Sequence, residues 1–224
     1  MKVVVFGATG LVGSHVARTC LDEERITKVF IITRKGPIVE IAKSPKVEVI
    51  LHRDFESWPV DLMKRLDGVE ACLWAVGGAV EMLNNDKDYC RKVNVDFTWS
   101  FAQALNSSVV PMLPDGKEFR FVFCSGATAE RDQDRTLLFL SDTRKIKGEI
   151  ERRLCELADA ETRFETFLLR PAMIQDQNTG VVRRAWMRAL GLAVDATEVG
   201  NAMVKIGVEG TTKRIVENAD ILKA

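Results

Sequence analysis

Tyrosine occurs once in the 224 residues, at Tyr89, and histidine twice, at His15 and His52. Five cysteines (Cys20, Cys72, Cys90, Cys124, Cys155) are scattered without C-x-x-C or metal-ligand spacing. No histidine-based zinc site, and no bound metal at all, is therefore expected. An odd, dispersed set of thiols fits a reducing compartment, so the expected location is cytoplasmic. No uncharged apolar run approaches ~18 residues, which argues against a transmembrane helix. The opening Met1-Lys2-Val3-Val4-Val5-Phe6 reaches a glycine turn too soon for a signal peptide. Lysine plus arginine (32) balance aspartate plus glutamate (32) at a formal net charge of +0. No global field thus draws the chain to nucleic acid or a membrane surface. Hydrophobic content of 46% and charged content of 29% are ordinary for a globular protein, and the length suits one α/β domain.

What is present is concentrated at the start. Val3 to Phe6 is an unbroken apolar run, as in a strand buried on both faces. The segment Gly7-Ala8-Thr9-Gly10-Leu11-Val12-Gly13 follows, and from Leu11 apolar residues recur at helical spacing. Strand, glycine turn and helix form the setting in which such a motif binds a dinucleotide. Gly7 permits the turn, Gly10 lets a diphosphate approach the backbone, and Gly13 lets the helix pack closely on the strand. Free N–H groups at the helix start face the anion. The spacing is G-x-x-G-x-x-G, not the commoner G-x-G-x-x-G. The alternative reading is a turn that merely packs tightly.

Further strands are expected at Val29–Thr33, Val47–Leu51, Val69–Ala75, Phe119–Cys124, Phe164–Leu169 and, briefly, Arg214–Val216. Helical patterns cover Asp88 to about Leu105, Thr136 to about Leu157, Val181–Leu190 and Glu198–Gly207. The alternation without linker or repeat predicts a single Rossmann-type doubly wound parallel sheet, α/β with helices on both faces, over residues 1–224. Residues from about 171 onward form a small substrate-side portion. Ligands on such sheets sit at the carboxyl ends of strands near the switch point. Residues 7–13, Arg34, Lys35, Asp54, Phe55, Ala75, Val76, Gly77, Ser125 and Pro171 all fall at expected strand ends. After the second strand, where an acid usually accepts the ribose hydroxyls of NAD, stand Arg34 and Lys35. A carboxylate would repel a 2′-phosphate and Arg34 would bind it, so NADP (NADPH) is the expected cofactor. The alternative is that both are solvated loop charges.

The motifs 7–13, Ile32-Thr33-Arg34, Asp54-Phe55, Val93-Asn94-Val95-Asp96, Ser125-Gly126, Lys147-Gly148-Glu149 and Leu169-Arg170-Pro171 cover nearly the whole chain. Together they resemble the short-chain dehydrogenase/reductase superfamily in its extended or atypical branch. The likeness extends to the small tumour-suppressor-type NAD(P)-binding members and their fungal homologues. The resemblance implies carbonyl–alcohol chemistry by serine, tyrosine and lysine, with Ser125 in the serine slot and Lys147 in the lysine slot. That lysine holds the nicotinamide ribose and lowers the tyrosine pKa. The tyrosine slot, four residues before Lys147, holds Thr143. An aliphatic hydroxyl is far less acidic than a phenol and shuttles protons poorly. Tyr89 and Asn94, five positions apart on a helix, point to different faces. Asp142 reads as a solvated loop carboxylate, and residues 130–135 as a solvated charged loop.

Three functions stay open: an NADP-dependent oxidoreductase whose proton comes from water relayed by Ser125, Thr143 or Asn94; a degenerate NADPH-binding regulatory or partner-binding protein; and a redox-neutral isomerase, dehydratase or cyclase. The expected partner is a small-molecule substrate, with neither nucleic acid nor membrane, and a homodimer is compatible with all three.

Overall fold

The structure, a computed structural model, describes residues 1–36, 39–175, 186–188 and 190–223. Its strands are β1 (Lys2–Phe6), β2 (Lys28–Thr33), β3 (Val47–Leu51), β4 (Val69–Trp74), β5 (Phe119–Cys124), β6 (Phe164–Arg170), β7 (Met173–Gln175), β8 (Ala193–Asp195) and β9 (Ile215–Glu217). The helices used below are α1 (Leu11–Asp22), α2 (Val39–Ala42), α3 (Val60–Arg65), α4 (Lys87–Arg91), α5 (Phe97–Ser108), α6 (Ser141–Ala160), α7 (Ala196–Glu209) and α8 (Asn218–Ile221). Seven strands form one sheet in the order β3-β2-β1-β4-β5-β6-β9, and every pairing is parallel. The chain reverses its direction of growth between β1 and β4, so the crevice beside these strands opens at their carboxyl ends.

Both faces of the sheet are covered, which is why the central strands read as continuous apolar runs. Successive side chains of β1 go to opposite sides. Val3 and Val5 join Ile31, Leu73, Val122 and Leu169 against Val12, Val16, Val199 and Met203 of α1 and α7. Val4 and Phe6 join Phe30, Ile32, Trp74, Phe121 and Leu168 against Phe101, Leu105, Ile150 and Leu154 of α5 and α6. This second layer carries the aromatic cluster, with Phe6 stacked on Trp74 at 4.3 Å between centroids and Trp58 tilted against Phe101 at 4.4 Å.

Two expected helices need correction, and one small sheet is added to the expected elements. The long helix before residue 108 is interrupted by a π-helical turn at Lys92–Asp96, where the Asn94 amide donates to the Cys90 carbonyl at 2.8 Å. The helix expected from Thr136 starts at Ser141, because Leu140 takes a left-handed conformation at φ 48° that no helix continues through. Residues 173–175 and 193–195, which have too few positions to show a period, form a two-stranded parallel sheet. Of the helix expected at Val181–Leu190, residues 181–185 and 189 lie outside the described residues, and Trp186–Arg188 are helical. The segment from residue 171 is tied into the main body, since β9 pairs with β6 and Gly200 of α7 sits against His15 and Val16 of α1. Among the described residues no helix is long and apolar enough to cross a membrane.

Candidate functional site

Because the main sheet is parallel, the loops following β1 to β6 share one edge, and the expected site residues lie along it. Gly7 has φ +79°, and a Cβ there would lie 2.5 Å from the Ala75 carbonyl oxygen at the end of β4. A Cβ on Gly13 would overlap the Gly7 carbonyl, so α1 approaches the turn closely only with glycine at this position. Gly10 is different. It caps α1 in an extended conformation, and its absent Cβ would meet only the Gly7 carbonyl oxygen, at 3.3 Å. Thr9, Gly10 and Leu11 are exposed, whereas Val12 is buried. The first-turn amides of an α-helix have no intrahelical acceptor, and the first turn of α1 holds no acidic residue. The result is an open, electropositive backbone surface beside a glycine turn.

At the end of β2, Arg34 is exposed, with its guanidinium 5.7 Å from the Phe55 ring and 5.9 Å from the Phe97 ring. No carboxylate pairs with Arg34 among the described residues. Lys35 is also exposed, in a turn where the Thr33 hydroxyl bonds the Lys35 backbone. Asp54 is exposed and its carboxylate accepts from the Glu56 N–H at 3.0 Å. Phe55 is buried in the aromatic layer against Phe6 and Trp58. Pro171 is buried, its carbonyl accepting from the Ala127 N–H at 2.8 Å, which joins the loops after β5 and β6.

Ala75, Val76 and Gly77 leave β4 in a turn held from beneath. The Ala75 N–H donates to the Phe6 carbonyl at 3.2 Å, and Trp74 Nε1 to the Val76 carbonyl at 3.1 Å. Asn94 is fully buried. Its Oδ1 accepts from the Gly78 N–H at 3.2 Å and its Nδ2 donates to the Gly78 carbonyl at 3.0 Å. The π turn thus aims one amide at both backbone polar groups of Gly78, a placement that a regular helix period does not foretell.

Among the described residues, the Ser125 and Thr143 hydroxyls and the Lys147 ammonium, which fill the expected catalytic slots, make no hydrogen bond to one another. Ser125 Oγ donates to Glu151 Oε1 at 2.6 Å. Glu151 is fully buried and also takes Arg170 at 2.5 Å and Arg131 at 3.1 Å. Thr143 Oγ1 accepts from the Val80 N–H at 2.9 Å and reaches Glu81 Oε2 at 3.3 Å. Lys147 Nζ donates to the Ser125 carbonyl at 3.2 Å, so lysine and serine meet through the serine backbone. Burial pulls the Lys147 ammonium below the ordinary lysine range, against the opposing influence of Cys124, Cys90 and Glu151. Burial also pushes the Cys90 and Cys124 thiols up.

Tyr89 is exposed while Asn94 is buried, in line with their different faces. Asp142 lies in the first turn of α6 rather than in a loop, and is paired with Lys87 at 2.8 Å. Residues 130–135 are not freely solvated: the Glu130 N–H bonds the Arg144 carbonyl at 2.9 Å, and Arg131 reaches Glu151. Glu151 and Glu81 escaped the sequence reading. The available signal for Glu151 was an acid one turn after Lys147, flanked by Ile150 and Leu154 on an apolar face.

The Thr143 geometry has a measurable consequence. Thr143→Val should leave the Val80 N–H without its buried acceptor, costing about 1–3 kcal/mol. Amide hydrogen exchange at Val80 should accelerate with the loss of stability. An unchanged exchange rate there would rule out this hydrogen bond as the anchor of the 79–82 segment.

No family model matches the chain. It is 27% identical over 202 residues to leucinostatins biosynthesis cluster protein T of Purpureocillium lilacinum, covering 86% of this chain and 72% of that one. Against the protein FMP52, mitochondrial, of Kluyveromyces lactis, identity is 24% over 100% of this chain and 98% of the relative. Among solved structures, a short-chain dehydrogenase/reductase family oxidoreductase from Burkholderia thailandensis superposes with a TM-score of 0.71 at 12% identity, covering 99% and 92% of the two chains. The Bordetella bronchiseptica enzyme WbmF in complex with NAD+ gives 0.68 at 13% identity over 97% and 72%. The chain therefore has the Rossmann-like α/β fold of short-chain dehydrogenase/reductase structures, the superfamily that its sequence motifs resemble.

Proposed function

We propose that this chain is an NADP-dependent oxidoreductase of the atypical short-chain dehydrogenase/reductase type, acting on a small carbonyl or alcohol. The observation that carries the cofactor reading is the pairing of the open amide surface at Gly10–Gly13 with the exposed Arg34 guanidinium at the end of β2, which has no carboxylate partner among the described residues. The diphosphate would lie on the α1 amides, with Gly10 giving it room, and the 2′-phosphate against Arg34 and Lys35. Ala75 to Gly77 would let the nicotinamide half pass over β4. When bound, NADPH supplies a hydride. Lys147 and the Asn94-held turn are polar groups of this chain at the ends of β4 and β5. WbmF is described with NAD+, and the P. lilacinum relative is named for a biosynthetic cluster, both consistent with cofactor-dependent small-molecule chemistry.

The test is a fluorescence titration with NADPH and NADH. NADPH should bind more tightly, and Arg34→Ala should remove most of that preference, roughly ten- to a hundredfold for charged hydrogen bonds to a phosphate. Equal affinities in the wild type would defeat the NADP assignment.

A second reading has a specific observation behind it. The Ser125 and Thr143 hydroxyls are both engaged within the protein. An NADPH-binding regulatory protein would show tight binding with no turnover of any carbonyl. For location, the proposal keeps the cytoplasm, although the K. lactis relative is named as mitochondrial; fractionation of cells expressing the tagged chain decides between them.

A further inference from the structure

We propose that Lys147 is itself the proton donor in carbonyl reduction, passing a proton from Nζ directly to the substrate oxygen. This rests on the oxidoreductase reading above and adds the identity of the acid.

Most polar hydrogens on this edge are already engaged. The Ser125 hydroxyl is held by Glu151 at 2.6 Å. The Thr143 hydroxyl is held between the Val80 N–H and Glu81. Asn94 Nδ2 serves the Gly78 and Cys90 carbonyls, and the Cys90 thiol is directed at the Gly78 carbonyl at 3.5 Å. Tyr89 is on the exposed side of its helix. Lys147 differs from these. An ammonium carries three donors, and among the described residues Nζ has one hydrogen-bond acceptor, the Ser125 carbonyl at 3.2 Å. Glycines stand close to it on two sides. A Cβ on Gly126 would be 3.5 Å from Lys147 Cδ, and a Cβ on Gly77 would be 4.0 Å from Nζ. The head group thus lies between the carboxyl ends of β4 and β5 with glycine on both sides.

The titratable groups facing Nζ are Cys124 from β5, Cys90 from α4 and Glu151 from α6, with the Asn94 amide nearby on the π turn. Burial outweighs them and lowers the ammonium pKa, which makes it a better acid near neutral pH. In the step, a reduced nicotinamide dinucleotide gives a hydride to the carbonyl carbon and is oxidised. The C=O π pair moves to oxygen and takes a proton from Nζ, so an O–H bond forms as an N–H bond breaks. The alcohol leaves with the amine neutral, and water reprotonates it.

The experiment compares wild type with Lys147→Arg and Lys147→Met, using NADPH with 4-nitrobenzaldehyde, methylglyoxal and cyclohexanone as probes. Arginine keeps the charge and the hydrogen bonds but does not release its proton. At saturating NADPH both variants should lose roughly a hundredfold or more in kcat, while Lys147→Arg, whose charge can still meet the ribose, should keep an NADPH Kd within about fivefold of wild type by fluorescence. Independently of turnover, NMR of the reductively 13C-methylated wild type should show one lysine signal titrating below the rest, both free and saturated with NADP+. Its absence from Lys147→Met assigns it. Lys147→Arg retaining half the wild-type rate would overturn the proposal, leaving the lysine only a positioning charge. So would a Lys147 signal that titrates with the other lysines, or tight NADPH binding with no probe reduced. Failure of the wild type to bind NADPH would instead overturn the cofactor reading, and this proposal with it.

Discussion

Gly10→Val should weaken NADPH binding at least about a hundredfold while the protein stays folded. The backbone at Gly10 is extended, at φ −93° and ψ 175°, which valine adopts readily. Its Cβ would press only on the Gly7 carbonyl oxygen, at 3.3 Å, and the rest of the side chain would stand over the α1 amides. The loss therefore falls on the anion: each charged hydrogen bond denied to the diphosphate is worth about 1.5–3 kcal/mol. The comparison variant is Gly13→Ala. There a single methyl overlaps the Gly7 carbonyl, α1 must move off the sheet, and destabilisation of about 1–3 kcal/mol or more is expected. Titration and thermal melting of both variants check the pair. A folded Gly10→Val protein that binds NADPH like wild type would place the dinucleotide elsewhere.

Glu151→Gln should cost about 3–5 kcal/mol, and lower Tm by roughly 10 °C for a chain of this size. The carboxylate is fully buried and satisfies three donors at once: Ser125 Oγ, Arg170 and Arg131. An amide turns one acceptor into a donor facing a guanidinium, takes the counter-charge from Arg131, and leaves Arg170 with Glu217 at 3.4 Å. The effect should spread along the chain, because Glu151 joins α6, the end of β5, the 126–135 loop and the end of β6. Arg152→Ala is the contrast. Its pair with Glu156, at 2.8 Å, is about half exposed on both partners and should be worth under about 1 kcal/mol. Chemical denaturation of the two variants measures the difference. A Glu151→Gln protein within about 1 kcal/mol of wild type would show that the buried cluster is not a keystone of the site wall.

The sheet was legible from one dimension. β3 and β5 match the expected Val47–Leu51 and Phe119–Cys124 residue for residue, and the glycine segment falls between β1 and α1 as read. Strands buried on both faces must be apolar throughout, and a turn pressed against a neighbouring carbonyl must be glycine. These are constraints that each residue meets largely by itself, so composition and order reveal them. The direction of side chains at the site was a different matter. Ser125 finds Glu151 across 26 positions and Thr143 finds the Val80 N–H across 63. Asn94 is aimed by a π turn that its neighbours' helix propensity does not announce. The start of α6 was misplaced for the same reason: Leu140 is turned left-handed while residues 130–135 dock on the first turns of that helix. The sequence by itself determined the core strands of the main sheet, to within a residue at the ends of β4 and β6. Only the tertiary structure decided which hydroxyls are engaged at the site, because hydrogen bonds between distant segments depend on how the layers pack.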